Sequence, residues 1–134
     1  VGTFNGNPLA MAAARAMLTE IATPAGYSMI EGLRSRADAG ISGLIKEFGL
    51  NARVVTAGAK GCVVFGDDEV RDYRGFLEID DSLSHGHWLF QHNGGVFLPP
   101  WGKVEQWLIS VQHDESDIDR LVANFRSFAI AISS

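Results

Sequence analysis

Three groups of residues in this sequence have the types and spacing that chemistry would need. The first is Gly2-Thr3-Phe4-Asn5-Gly6-Asn7-Pro8, a loop that runs into an alanine- and methionine-rich stretch. Gly2 and Gly6 would let the backbone approach an anion closely, and Thr3 adds a hydroxyl. A helix starting at Pro8 would aim the positive end of its dipole at the same place. The same residues also read as a plain capped helix start. Asn7 is then the N-cap and Pro8 fills the first helical position, where a missing N–H costs nothing. The residues alone leave both readings open.

The second group is the four histidines, His85, His87, His92 and His113. On a helix His85 and His87 point about 200° apart, and His85 and His92 share a face but stand nearly two turns apart. No His-x-x-x-His pair exists and Cys62 is the single cysteine, so no metal site and no disulfide framework is expected. The histidines read as helix-surface or interface residues. The third group is formal only. Ser84-x-x-His87 and His113-Asp114 supply triad residue types without a nucleophile elbow. Gly58-Ala59-Lys60-Gly61 lacks the spacing of a phosphate loop and the Ser or Thr that follows one, so it reads as a turn. For that reason Lys60 is a poor Schiff-base lysine, and no catalytic residue is assigned within this chain.

These residues need elements to hold them. Pro8 onward predicts a helix that Thr23-Pro24 ends. A second helix is expected from about Ala25 to Phe48, with Ile30, Leu33, Ala37, Ile41, Leu44, Ile45 and Phe48 on one stripe and Gly49 as its stop. Arg53–Thr56 and Cys62–Phe65 read as strands closed by Asp67-Asp68. A helical region follows Asp72-Tyr73, strongest from Asp80 to Asn93 and closed by Gly94-Gly95. Val96–Leu98 and Gln106–Ser110 read as two further short strands. Asp114 can cap the last helix, with Glu115 and Asp117 in its first turn and a stripe of Ile118, Leu121, Val122, Phe125, Phe128, Ala129 and Ile132. The expected class is α+β: a small, mostly antiparallel sheet with helices packed on one face.

Composition agrees with one folded domain. The chain has 134 residues, 46% of them hydrophobic, enough to bury roughly two-thirds of the unfolded surface. The net charge of −5, with acids and bases interspersed, argues against nucleic-acid binding, which needs a basic face. No run approaches the roughly 20 apolar residues of a bilayer span, and no signal peptide is readable. A cytoplasmic setting is expected. The glycine-rich motif beginning at the second residue, without an initiator Met, is what a piece of a longer chain would show.

Two of these segments together resemble a known family. Gly2-Thr3-Phe4-x-Gly6-Asn7-Pro8-Leu9-Ala10, followed by an Ala/Met helix, is similar to the G-T-[FL]-x-G-N-P-[LA]-A segment of class III aminotransferases, most of all the glutamate-1-semialdehyde aminomutase branch. Gly95-Val96-Phe97-Leu98-Pro99-Pro100, then Glu105 and Ser110-x-x-His113 before an acid-capped helix, resembles that branch's ending. The resemblance covers essentially the whole chain. It implies the C-terminal small domain of a fold-type-I enzyme that uses pyridoxal 5′-phosphate, with residues 1–24 joining a large domain and 25–134 forming the small one. It implies a homodimer in which Gly2 and Thr3 serve the cofactor phosphate of the partner subunit, and a small amino or keto substrate. The Schiff-base lysine and the Asp of the pyridine nitrogen would then lie before Val1, so this chain alone would not be competent. Glu105 is a candidate for supporting work beside the substrate, or else a solvated strand-edge carboxylate. Pro100-Trp101-Gly102-Lys103-Val104-Glu105 departs from the branch's Pro-Ser-x-Phe-Glu by one extra residue and lacks its Ser and Phe, so a transaminase fits as well as the mutase. A stand-alone α+β binding or regulatory module is the alternative from another class.

Overall fold

The final helix organises the chain, and its start is the most heavily capped point in it. In the computed structural model, which describes residues 2–66, 69–79, 81–99, 102–104 and 106–133, Asp114 caps α5 (Glu115–Ile132). Its Oδ1 accepts from the Ser116 and Asp117 N–H groups at 2.8 and 3.3 Å. Asp117 Oδ2 accepts in return from the Asp114 N–H at 3.0 Å, closing a capping box. Ile118, Leu121, Phe125, Phe128 and Ala129 are buried. Val122 is half-buried and Ile132 is exposed, so the stripe expected from the sequence is right except at its far end.

Against it lies α2 (Pro24–Glu47), started by Thr23, whose hydroxyl accepts from the Gly26 N–H at 3.2 Å. Thr23-Pro24 therefore begins this helix as well as separating it from the one before. Leu33, Ala37, Ile41 and Leu44 are its buried face. Exposed ion pairs flank the α2–α5 contact: Arg36 with Asp119 at 2.7 Å and Arg126 with Glu47 at 2.8 Å. Such pairs are worth at most about 1 kcal/mol each, so the apolar faces and not the charges hold the two helices.

Among the described residues the sheet has three antiparallel strands in the order β1 (Ala52–Ala57), β2 (Lys60–Phe65) and β3 (Gln106–Leu108). Lys60 belongs to β2, so the turn is only Gly58-Ala59. Gly61 stands opposite Trp107, and a β-carbon there would sit 2.3 Å from the indole. Only glycine lets the tryptophan cross the sheet. Val63 and Phe65 face α2, α4 and α5, while Arg53, Val55, Cys62 and Val64 on the other face form a cavity with Val70, Phe76 and Ile79.

The expected strand at Val96–Leu98 is not one. The Gly95 N–H bonds to His92 O and the Val96 N–H to Gln91 O at 2.8 Å, a Schellman ending made possible by Gly95 at φ +79°. Val96 has spent its donor on the helix behind it, and Phe97 is 84% exposed. The helical region after Asp72 divides into α3 (Tyr73–Glu78) and α4 (Asp81–Asn93).

α4 departs most from expectation, because its inward face is polar. Ser84, His87 and Gln91 are all buried. His87 is thus no surface residue but stands among the rings of Phe65, Phe125 and Phe128. The Gln91 amide nitrogen donates to His87 Nε2 and to the Leu121 carbonyl, both at 3.0 Å. The Gln91 side-chain oxygen accepts from Asn124 Nδ2 at 3.1 Å. With Nε2 accepting, the neutral ring carries its proton on Nδ1.

Burial pushes the His87 pKa from its ordinary 6.5 down to about 4. The unfolded chain therefore binds the proton first, and stability falls as pH drops from 6.5 towards 4, by up to about 3 kcal/mol. We expect denaturation midpoints to decline over that window in the wild-type chain. A His87→Leu variant, less stable at neutral pH, should lack this part of the decline, so its deficit should shrink as pH falls. Parallel curves for the two proteins would refute the assignment.

Candidate functional site

The N-terminal loop lies where a phosphate could reach it. Asn5 N–H bonds to Gly2 O at 3.1 Å and Asn7 N–H to Phe4 O at 3.3 Å, curling residues 2–7 into two turns. Asn7 then caps α1 (Pro8–Ala16): its Oδ1 accepts from the Ala10 N–H at 2.9 Å, and Pro8 sits in the first turn. Gly2, Thr3 and Gly6 are exposed. Among the described residues the Thr3 hydroxyl has no hydrogen bond. The chain carries no acid from residue 2 to residue 16, so nothing in this loop or helix opposes an anion. Hydroxyl, backbone donors and helix end make a donor set that fits a phosphate.

The helix carrying this loop is uncovered. No residue of α1 is buried, and Phe4 is 84% and Leu9 81% exposed. The helix continues into a π-helical turn, Met17–Ile21, before the corner at Thr23. Arg15, Met11 and Met17 are exposed as well, so apolar and basic side chains stand uncovered along this helix among the described residues.

The second motif does different work. Ser110 N–H donates to His113 Nδ1 at 3.0 Å, the Ser110 hydroxyl lies 3.0 Å from the same nitrogen, and that hydroxyl accepts from the Gln112 N–H at 3.2 Å. Ser-x-x-His is here a closed turn that delivers the chain from β3 to the α5 cap. Gly95 ends α4, as described above. Pro99 O accepts from Trp88 Nε1 at 2.9 Å. Glu105, Pro100 and Trp101 lie outside the described residues, as do Asp67, Asp68 and Asp80.

The other readings separate cleanly. Ser84 Oγ donates to Lys103 O at 2.8 Å while His87 bonds Gln91, so they are not a nucleophile and base. Among the described residues no group of His, Cys, Asp and Glu could hold a metal ion. Of the three lysines, Lys60 starts β2 and is exposed, Lys46 ends α2, and Lys103 Nζ donates to Ile79 O at 2.6 Å. None lies near the loop in sequence. The buried polar face of α4 gave no signal in the sequence, because apolar periodicity cannot report an inward Gln or His.

Comparison with known proteins bears on both motifs. No family model matches the chain. It is 34% identical over 125 residues to a glutamate-1-semialdehyde 2,1-aminomutase of Akkermansia muciniphila, covering 93% of this chain and 29% of that one. It is 32% identical over 131 residues to the enzyme of that name from Clostridium beijerinckii, covering 96% and 30%. Among solved structures, a β-phenylalanine aminotransferase from Variovorax paradoxus superposes with TM-score 0.79 at 28% identity, over 98% of this chain and 30% of that one. A glutamate-1-semialdehyde aminomutase from Pseudomonas aeruginosa superposes with TM-score 0.86 over the whole chain and 29% of its own, at 23% identity, which speaks for the fold alone. The chain spans less than a third of the length of each of these relatives. Over more than nine-tenths of its length it is similar to one part of these aminomutases and aminotransferases.

Proposed function

We propose that this chain is the C-terminal part of an enzyme that moves an amino group on an amino acid, amine or semialdehyde with pyridoxal 5′-phosphate. Residues 1–24 join the small domain, residues 25–134, to a large domain that carries the Schiff-base lysine. The working unit is a cytoplasmic homodimer. The observation that carries this reading is the N-terminal loop. It offers backbone donors, a helix end with no acid nearby in sequence and a Thr3 hydroxyl that is unpaired among the described residues, ahead of a helix with no buried residue. When bound, the cofactor supplies an electron sink for the bonds at the amino-bearing carbon. Thr3 and the backbone at Gly2 would hold and orient its phosphate from across the subunit boundary. Glu105 remains a candidate for supporting work beside the substrate.

The lysines of this chain have other surroundings. Incubation with pyridoxal phosphate followed by borohydride should give no stoichiometric adduct on Lys46, Lys60 or Lys103. One specific, complete adduct would overturn the placement of the lysine elsewhere.

The uncovered arm should also drive association, since contiguous apolar surface is rarely left in water. Sedimentation should show dimers or larger species as concentration rises, and a monomer at every concentration would count against the arm as a docking element.

The direct test is Thr3 in the full-length parent. Losing a hydrogen bond to a charged group costs about 1.5–3 kcal/mol, and 1.4 kcal/mol is a factor of ten. Thr3→Ala should therefore weaken cofactor affinity roughly ten- to a hundred-fold. Thr3→Ser, which keeps the hydroxyl, should lose much less, and the melting temperature of the cofactor-free protein should not move. If both variants hold the cofactor as tightly as wild type, Thr3 is an ordinary loop residue.

A further inference from the structure

Away from the N-terminal loop, a cleft opens between the end of α4 and the start of α5. Its volume is about 640 Å³, within the roughly 300–1,000 Å³ of small-molecule sites. Its walls are largely apolar, with Phe97, Leu98, Leu108 and Ile118 among them. Phe97 and Leu108, 84% and 60% exposed, stand at the opening.

The polar groups of the cleft are mostly donors, and the fold leaves three of them unused. Arg120 projects from α5 so that a β-carbon built on Gly95 would stand 3.4 Å from its Nη1. Among the described residues its guanidinium has no hydrogen bond or ion pair. His113 spends Nδ1 as an acceptor for the Ser110 N–H. The neutral ring therefore carries its proton on Nε2, which has no partner among the described residues. Trp107 Nε1 is buried with no hydrogen-bond partner among the described residues, and its indole lines the same cleft. A buried N–H without an acceptor costs about 1–3 kcal/mol, so native folds seldom leave one unless something else answers it. Asp117 also lines the cleft, but its Oδ2 is held by the Asp114 N–H in the capping box.

The geometry points to a binding site for a small carboxylate with an apolar or aromatic body. The body fills the space between Phe97, Leu108 and Ile118. The carboxylate accepts from Arg120, as planar guanidinium groups favour, with His113 Nε2–H as a second donor. Nothing in this site draws on Thr3 or on the amino-transfer reading, so it stands or falls separately.

The probe is 3-phenylpropionate, titrated into the ¹⁵N-labelled chain while the Trp107 indole N–H resonance is followed. A saturable shift with millimolar affinity is expected, with 2-phenylethylamine, which has the same body and the opposite charge, giving none. Arg120→Ala should weaken the carboxylate at least about ten-fold, and Arg120→Lys should retain an intermediate affinity. Because Arg120 has no hydrogen bond or ion pair among the described residues, the rest of the spectrum should stay unchanged and report that both variants are folded. The proposal is overturned by the absence of a saturable shift or by affinity unchanged in Arg120→Ala. It is equally overturned by an amine that binds as well as the carboxylate, because Asp117 would then be the recognising group.

Discussion

The side chain of Gln91 ties this structure together. It is fully buried, and it joins its own helix, through His87, to the backbone of α5 at Leu121 and the side chain of Asn124. A buried amide must find partners for both ends or cost the protein several kcal/mol. Here each donor and acceptor has one answer, and those answers exist only when α4 and α5 meet at a single rotation and height. Apolar faces would allow the helices to slide by a side chain, whereas this cluster does not. Asn124 shows how tight the fit is, for a β-carbon on Gly94 would lie 2.1 Å from its side-chain oxygen.

From that fixed helix the connection to β3 is hung at several points. Trp88 Nε1 donates to Pro99 O, Ser84 Oγ donates to Lys103 O, and Lys103 Nζ reaches back to Ile79 O. The described residues of this connection, Pro99 and Lys103 among them, are thereby held by hydrogen bonds that involve side chains instead of by a ladder. β3 needs only three residues because Trp107 lays its indole across Gly61 and the chain beyond Ile109 is turned by Ser110 and His113. The cleft beside α5 is a consequence of these two arrangements, since one wall belongs to the Gly95–Pro99 passage and the other to the capped start of α5.

The sequence showed most plainly those features that depend on a few neighbouring residues. Asn7 and Asp114 cap helices by accepting from backbone N–H groups two or three positions on, and Gly49 and Gly95 end helices by a local backbone turn, whereas Thr23, read only as the end of the first helix, also caps the second. The stripes of α2 and α5 were legible because apolar periodicity and burial coincide there. Neither condition holds for α4, where Leu83 and Leu89 lie outward while Gln91 and His87 lie within. Gln91 is satisfied there by Leu121 and Asn124, thirty and more residues away, and in turn bonds His87; no local pattern encodes that. Val96–Leu98 misled for the opposite reason: its composition is strand-like, but its first donor was already committed to Gln91. Glu105 lies outside the described residues.

The two family-like motifs differ in what the fold asks of them. Gly95 is required by a left-handed turn, and Ser110 and His113 close another. Each of these residues would be needed for the shape of this chain even if it bound nothing. Thr3 is not in that position. Its hydroxyl has no acceptor or donor among the described residues, it is exposed, and the turns around it are made by the backbone of Gly2 and Phe4. Phe4 beside it is 84% exposed among the described residues. Among the described residues the fold therefore makes no demand on the Thr3 hydroxyl, and no residue of the helix that follows it is buried. Arg120, elsewhere in the molecule, is alike in one respect: it lines a largely apolar cleft and has no hydrogen bond or ion pair among the described residues.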